Sequence, residues 1–437
     1  MILSSKGFKR YFANFSWLVS EKIVRLGVSF VVAAYVARHL GPRDYGLLSF
    51  ALSFAGFFTA FCTLGMDSII TRNLVRNPSR EPIILGTGFW LRGFGSVTGF
   101  LLLAAIVAVV GYDSRTSLLI MVVAVGMLFQ PLAVIEPFFR ARVAGRYTTL
   151  TNLWSVATTS SLRLLLVALK ATVSAFAWVV VAEKAVLGAA YFFYYRKAGS
   201  VGGAWRFSRP VAKELLSDSW PLIFSGLVVM VYMRIDQIMI KQMIGDEAVG
   251  YYAAAVFLAE GWYFLGIAAN SSLFPAIVNA KAISEELYAS RLQRFYSLMA
   301  WMAISVAFPV HFLADWLIAL IYGPAFQPAA AVLKINVWTG IFVFLGVASS
   351  SWLVTENLQR MLLVRTSIGA VLNVVLNLML IPRYGIIGSA WATLISQAFA
   401  SYLCYAFMRV TFQTFVMQTK AFFPPVRELL RLRSASA

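Results

Sequence analysis

Charged residues are scarce in this sequence of 437 residues. Asp, Glu, Lys and Arg make up 13% of the chain, whereas 60% of it is hydrophobic and the mean hydropathy is +0.78. A soluble protein of this composition would lack the polar residues that it needs to cover its surface. The composition therefore excludes a soluble globular protein and predicts a membrane protein.

Cysteine and histidine are almost absent. Both cysteines, Cys62 and Cys404, lie in apolar stretches, which predicts small buried side chains rather than a disulfide or a metal site. The histidines, His39 and His311, are far apart, and no Ser–His–Asp or Cys–His grouping accompanies them. We therefore expect no nucleophilic or metal chemistry and no cofactor.

The sequence also lacks an ATP-binding loop of the form G-x-x-x-x-G-K-[ST]. The longest predicted segments outside the membrane are 196–218 and the tail after about residue 409, and neither has room for a catalytic domain. We expect a protein that is not an enzyme and whose energy source is an ion gradient, the membrane potential or the cargo gradient. Short outside loops also argue against a membrane glycosyltransferase or polymerase.

Apolar stretches of membrane-spanning length follow one another along the chain. A spanning helix needs roughly 20 apolar residues, and such stretches lie near 14–37, 45–70, 83–110, 116–138, 148–169, 173–195, 219–240, 249–275, 295–321, 330–354, 361–381 and 386–408. The first is too long and too charged for a signal peptide. The pattern predicts an all-α polytopic membrane protein of about twelve helices.

Basic residues cluster in every second loop, as with Arg72, Arg76 and Arg80 between the second and third spans. Because cytoplasmic loops carry the excess of Lys and Arg, this pattern predicts that both termini are cytoplasmic. It also accounts for most of the net charge of +19. Next to membrane spans, anionic lipid head groups are the ordinary partner of such residues, so we expect membrane lipids and no nucleic acid as partners.

A weak repeat divides the chain into two halves. Residues 40–51 align with 244–255 at an offset of 204, 145–167 align with 359–381 at 214, and Ala177–Trp178 align with Ala390–Trp391 at 213. The first alignment matches Gly41 with Gly245 and Gly46 with Gly250. Similar hydrophobic composition alone is the alternative explanation.

Each half holds six predicted spans, an even number, so both halves enter the membrane in the same orientation. This is the parallel-repeat arrangement of transporters whose cargo passes between two bundles. We predict a six-helix lobe in 1–197, a cytoplasmic linker in 198–218, a second six-helix lobe in 219–411 and a basic cytoplasmic tail in 412–437.

Several charged residues fall inside predicted spans. A charge at the bilayer centre costs about 2.5–3.5 kcal/mol, so such residues nearly always face a protein interior or a watery cavity. Lys22 and Lys334 have the alternative of reaching a membrane surface. The cations are Lys22, Arg25, Arg92, Arg163, Lys184, Arg234, Lys334 and Arg365, and the acids are Glu21, Glu183, Asp236 and Glu260. The excess of cations predicts a positively charged interior.

The spacing of these charges limits their partners. Arg234 and Asp236 are two residues apart, about 200° around a helix, so neither can satisfy the other. Glu21 and Arg25 are four residues apart and can pair locally. We predict that Asp236, Glu21 and Glu260 serve either in ion coupling or in buried charge pairing.

Two spans carry polar stripes. Asn152, Thr159 and Arg163 share a face of the fifth span, and Arg365, Gly369, Asn373 and Asn377 follow at intervals of four on the eleventh. In the alignment of the two halves, Arg163 matches Asn377 and Thr159 matches Asn373. We predict a cationic cavity for an anionic cargo, lined by Arg25, Arg163, Arg234, Arg365, Asn373 and Asn377. Polar contacts that only hold helices together are the alternative.

Three stretches, "ARHLGPRDYGLLSFALS" (37–53), "YMRIDQIMI" (232–240) and "PRYGIIGSAWATLISQ" (382–397), resemble the Wzx-type polysaccharide flippases. These belong to the multidrug/oligosaccharidyl-lipid/polysaccharide exporter superfamily. The most characteristic motif is the L-G-x-x-x-[YF]-G turn, whose second copy, "IGDEAVG", has Val249 in place of Tyr45. The resemblance extends over essentially all twelve spans.

The resemblance implies a MATE-like two-lobe exporter in the bacterial inner membrane. Its cargo would be an undecaprenyl-pyrophosphate-linked oligosaccharide, moved to the outer leaflet by alternating access for polysaccharide biosynthesis, with a polysaccharide polymerase and assembly proteins as possible partners. Arg25, Arg163, Arg234 and Arg365 would then form the pyrophosphate site. The segment 424–433 is predicted to lie as a basic helix on the inner membrane surface.

Three alternatives stay open. A drug/cation antiporter of the same superfamily would want an acidic cavity, and lipid II flippases commonly carry two further spans that are missing here. A subunit of a polysaccharide synthase without transport activity is the third.

Overall fold

The structure, a computed structural model, describes the backbone of residues 5–198 and 204–423, with the side chains of Lys22 and of residues from 24 onward in those ranges. No strand occurs in the described part. The helices are α1 (Ser5–Thr63), α2 (Asp67–Arg76), α3 (Glu81–Val110), α4 (Ser114–Val125), α5 (Ile135–Ala141), α6 (Gly145–Ala168), α7 (Val173–Lys197), α8 (Arg209–Met243), α9 (Asp246–Glu260), α10 (Phe264–Lys281), α11 (Glu285–Tyr322), α12 (Ala329–Thr355), α13 (Gln359–Ser401) and α14 (Phe412–Ala421).

Helices of membrane-spanning length dominate the described ranges, where nine are long and apolar enough to cross a bilayer. Two of these contain a sharp break, at Gly41 (φ 71°) beside Pro42 in α1 and at Gly385 (φ 59°) after Pro382 in α13, so each supplies two spans. The Ser- and Thr-rich α6 supplies the remaining one. The all-α polytopic fold with about twelve spans is thereby confirmed.

Two spans are interrupted within the membrane. The fourth changes from α4 to a 3₁₀ segment, Gly126–Val134, before α5, and the eighth breaks at Gly261–Tyr263 between α9 and α10. A break frees backbone polar groups that hydrocarbon cannot hydrate, so it is tolerated only beside protein or in a watery cavity. Glu260 is the last residue of α9, directly before the second break.

The described chain divides into two compact units. Unit 1 comprises Met1–Lys241 with Gly245–Gly250, and unit 2 comprises Gln242–Ile244 with Tyr251–Ala437. The division therefore comes in the last turn of α8, whereas the sequence predicts a linker at 198–218. Within unit 1 the α8 helix is tied to α2 by an ion pair between Arg72 and Asp218 and by a bond from Asn73 Nδ2 to Glu214 Oε1 (3.2 Å).

The described residues 204–208 of the predicted linker form hydrogen bonds with other residues of unit 1. The Arg206 amide donates to the Pro82 carbonyl (3.2 Å), and the Ser208 amide donates to Thr87 Oγ1 (3.1 Å). Trp205 Nε1 donates to the Tyr195 hydroxyl (3.1 Å), which in turn donates to buried Glu81. Residues 204–208 therefore run along α3, and α8 begins directly after them.

The last helix of the described residues, α14, packs one of its faces against unit 2. Gln293, two turns above the start of α11, donates to the Met417 carbonyl (2.9 Å), and Gln418 Nε2 donates to Ser349 Oγ (2.6 Å). Ala421 is fully buried in the same core cluster as Met299. One face of α14, with Thr414, Gln418 and Ala421, is thus buried against unit 2, whereas Phe412, Gln413 and Lys420 on the same helix are exposed. The predicted basic helix at 424–433 lies outside the described residues.

Candidate functional site

Three of the eight predicted intramembrane cations have carboxylate partners. Arg92 pairs with Asp67, Arg163 Nη2 lies 3.0 Å from Glu183 Oε2, and Lys334 Nζ lies 2.6 Å from Asp315 Oδ2. None of these partners is a helical neighbour at three or four residues. Sequence spacing therefore could not identify them, although Glu183 stood out as an acid inside the sixth span.

Three other cations have no such partner. Lys22, Lys184 and Arg234 form no ion pair or side-chain hydrogen bond with any residue that the structure describes. Lys22 is exposed, and Lys184 and Arg234 are half-buried. All three belong to unit 1, as does Arg25, which is exposed on α1. Unit 1 therefore carries a surplus of accessible positive charge within its spans.

Arg365 is buried, and both of its Nη groups have acceptors, whereas its Nε has no partner among the described residues. Its Nη2 donates to Ser350 Oγ (2.6 Å) and to the Gly346 carbonyl (3.3 Å), and Nη1 lies 3.4 Å from the Ala400 carbonyl. Ala400 is in the last turn of α13, where the helix dipole presents partial negative charge. This environment suits a guanidinium that joins α12 to the end of α13, and it favours the helix-holding alternative.

Asn373 and Asn377 are fully buried in unit 2. Asn377 Nδ2 donates to the main-chain carbonyl (3.0 Å) and to Oδ1 (3.1 Å) of Asn373, whose own Nδ2 lies 3.4 Å from Ser396 Oγ. In the fifth span, buried Thr159 likewise bonds to the Ser155 carbonyl of its own helix (2.8 Å). The stripe of the eleventh span and Thr159 of the fifth thus point into their own units, an arrangement typical of polar helix packing.

The predicted acidic residues have separate surroundings. Asp236 is buried on α8, and the adjacent Gln237 accepts a bond from Ser53 Oγ of α1 (2.7 Å). Glu260 is half-buried where the eighth span breaks. The side chain of Glu21 lies outside the described residues. The structure brings Arg25, Arg163, Arg234 and Asp236 into unit 1, and places Arg365, Asn373, Asn377 and Glu260 in unit 2.

A cavity of about 340 Å³ lies inside unit 2, at the start of α14. Its one lysine, Lys281, bonds to both carboxylate oxygens of Glu356 (2.7 Å each), and Tyr288 donates to the same carboxylate (3.0 Å). Glu285 adds a second acid to the lining. The cavity is therefore not suited to an anion.

Two copies of the glycine motif meet in unit 1. A Cβ added at Gly46 would lie 1.9 Å from the Asp246 carbonyl oxygen, and one at Gly250 would lie 1.9 Å from the Pro42 carbonyl oxygen. The contact is reciprocal, because each copy approaches the backbone of the other through its second glycine. The two copies of the motif are thus matched in their contact as well as in their sequence.

Comparison with known proteins assigns the family. The model of the polysaccharide biosynthesis protein family matches residues 11–281, which is more than half of the chain. The chain belongs to this family. The resemblance inferred from the motifs is thereby confirmed. No curated protein matches the chain by sequence.

Solved structures show the same fold at low identity. A lipid II flippase MurJ in an inward closed conformation aligns with a TM-score of 0.71 and 13% identity, over 94% of this chain and 91% of its own. An inward-facing multidrug resistance MATE transporter of the MOP superfamily aligns with a TM-score of 0.69 and 14% identity, over 95% and 100%. The Vibrio cholerae MATE transporter VcmN aligns with a TM-score of 0.61 and 13% identity, over 94% and 96%. This polysaccharide biosynthesis protein therefore has the fold of the MOP-superfamily transporters.

Proposed function

We propose that this polysaccharide biosynthesis protein is a flippase for an undecaprenyl-pyrophosphate-linked oligosaccharide. It moves the lipid-linked unit to the outer leaflet of the bacterial inner membrane by alternating access, with both termini in the cytoplasm. A polysaccharide polymerase and other assembly proteins would take up the delivered unit. The family assignment supports a saccharide cargo, and the charges within the spans support an anionic head group.

The observation that carries the proposal is the surplus of positive charge in unit 1. Lys22, Lys184 and Arg234 have no carboxylate partner among the described residues. Holding such charges at membrane depth is costly unless a mobile counter-charge or water reaches them. A pyrophosphate linked to a polyprenyl chain brings a counter-charge to that depth, because its lipid part stays in the bilayer.

We assign different roles to the candidate residues. Arg25 and Arg234 would contact the pyrophosphate first, since guanidinium groups donate bidentately to phosphate oxygens. Arg163 would join them from its pair with Glu183. Arg365, Asn373 and Asn377 would hold the eleventh span in place. Asp236 and Glu260, two acids at membrane depth, are the candidates for ion coupling.

A drug/cation antiporter is the alternative that the MATE neighbours raise, but their identities of about 14% support the fold alone. A cationic drug would be repelled by the surplus charge of unit 1. A lipid II flippase would also need a positively charged binding site, so it differs from the proposed protein only in its cargo. A synthase subunit without transport activity would move no lipid in isolation.

Reconstitution of Arg234→Ala tests the proposal. In liposomes, the wild type should move a labelled polyprenyl-pyrophosphate sugar without partner proteins. Arg234→Ala should bind that lipid about ten- to a hundredfold more weakly, because one charge-assisted contact is lost, and Arg234→Lys should fall between the two.

Arg383→Ala removes an exposed arginine outside the spans and is the matched control. Binding of a neutral polyprenol should be unchanged in all variants. Equal loss for both lipids in Arg234→Ala would assign Arg234 to helix packing. Absence of transport by the wild type would support the subunit alternative.

A further inference from the structure

Three repeat-related positions differ in charge between the halves. At the offsets of the repeat, Tyr45, Arg163 and Glu183 correspond to Val249, Asn377 and Ser396. The first half thus has an aromatic hydroxyl, a cation and an anion where the second half has no ionisable group. Because the repeat matches these positions, the comparison separates what helix packing needs there from the charges that only the first half has.

The uncharged set is part of the packing of unit 2. Asn377 and Ser396 are fully buried, and Asn373 bonds to both of them, at 3.1 Å from its Oδ1 and 3.4 Å from its Nδ2. Short amide and hydroxyl side chains therefore suffice to join the two helices at this level. An ion pair is not required there by the fold.

The charged set in unit 1 remains accessible. The ion pair of 3.0 Å joins α6 to α7, and the side chains of Arg163 and Glu183 are 29% and 36% exposed. A buried pair would be costly to separate, whereas a partly exposed pair contributes little net free energy and exchanges partners readily.

Carboxylate and phosphate oxygens are alternative partners for the same guanidinium. Both accept two parallel N–H bonds from arginine, and the phosphate brings more negative charge. Glu183 and an anionic head group that reaches Arg163 therefore compete for the same positive charge. When the head group leaves, Glu183 is already in position to pair with Arg163 again.

We propose that Glu183 is a positioning residue that competes with the anionic head group for Arg163. It holds the guanidinium in the empty protein, lowers the affinity for the pyrophosphate and so helps the cargo to leave. This inference rests on the proposed function, and it adds a residue that sets how tightly the head group is held.

The test measures binding of inorganic pyrophosphate to the purified full chain by calorimetry. Glu183→Gln keeps the side-chain size and removes the competing charge, so pyrophosphate should bind roughly three- to tenfold more tightly. Arg163→Ala should bind more weakly than the wild type. The double variant should match Arg163→Ala, because Glu183 acts only through Arg163.

Asp315→Asn is the matched control, because it neutralises the acid of another interhelical pair, Lys334–Asp315, in unit 2. It should leave the affinity unchanged. Equal tightening in Asp315→Asn, or tightening that persists in the double variant, would mean that net charge alone is responsible. Unchanged or weaker binding by folded Glu183→Gln would also overturn the inference.

Transport supplies a second readout. Glu183→Gln should lower both KM and the maximal rate, because the cargo binds more tightly and leaves more slowly, whereas a purely structural role would lower the rate alone. Should Glu183→Gln fail to fold, Glu183→Asp shortens the reach to Arg163 and should still tighten binding, by a smaller factor. If the wild type binds neither pyrophosphate nor the lipid-linked sugar, the proposed function fails, whatever the variants do.

Discussion

Arginines that look alike in the sequence have different surroundings in the structure. Arg234 is half-buried with no described partner, Arg163 is paired with an accessible acid, and Arg365 is buried with its two Nη groups on carbonyl and hydroxyl oxygens. Each guanidinium carries the same charge, so its role depends on whether its donors are already used. The first two are available to a ligand, and Arg365 is available only if two helix contacts break.

Arg365→Ala should therefore lower stability before it affects cargo recognition. The change removes the buried guanidinium that joins α12 to the end of α13 and opens a cavity, at a cost of roughly 2–4 kcal/mol. Thermal unfolding in detergent would measure this loss, with Arg360→Ala, an exposed arginine of the same helix, as the control. A normal melting temperature together with weakened pyrophosphate binding would assign Arg365 to cargo binding rather than to helix packing.

Among the elements, α14 departs most from its expected place. Its sequence, "FQTFVMQTKA", contains threonines and glutamines that look suited to water. Thr414 and Gln418 are nevertheless buried, and Gln418 bonds to a serine on α12. Polar side chains of this kind also stabilise contacts between helices in membrane proteins, so polarity alone did not distinguish a tail from a helix with one packed face.

Cysteine labelling tests the position of α14. The background lacks Cys62 and Cys404. A cysteine at exposed Gln413 should react quickly with a water-soluble maleimide, and one at fully buried Ala421 should react more slowly by a factor of about ten or more. Denaturation should equalise the two rates. Equal rates in the folded protein would place α14 outside the bundle.

For the molecule as a whole, the repeat is visible in the backbone as well as in the sequence. Gly41 and Gly245, which the alignment matches, both have positive φ angles, 71° and 127°. Gly46 and Gly250 touch the opposite copy of the motif. Shared backbone conformation at matched positions is stronger support for a true repeat than shared hydrophobicity, since apolar composition does not require a left-handed glycine.

Gly46→Ala should disrupt this contact. Its Cβ would overlap a carbonyl oxygen of the other copy, which is backbone and cannot turn aside, so we expect a lower melting temperature and a loss of transport of about tenfold or more. Gly56→Ala, in the same helix with open space around its Cβ, is the control and should melt at or above the wild-type temperature. Identical behaviour of the two variants would show that the motif contact is dispensable.

The sequence by itself determined the membrane class, the number of spans and the two halves. These properties depend on hydropathy and on glycine spacing. Both are visible in the sequence without knowledge of how the helices pack. Tertiary structure decided which charges are neutralised, because Arg163 meets Glu183 and Arg365 meets the end of its own long helix only after helices pack. It also placed Asn373 and Asn377 inside unit 2, since helical periodicity shows that residues share a face but not whether that face meets a neighbouring helix or a cavity.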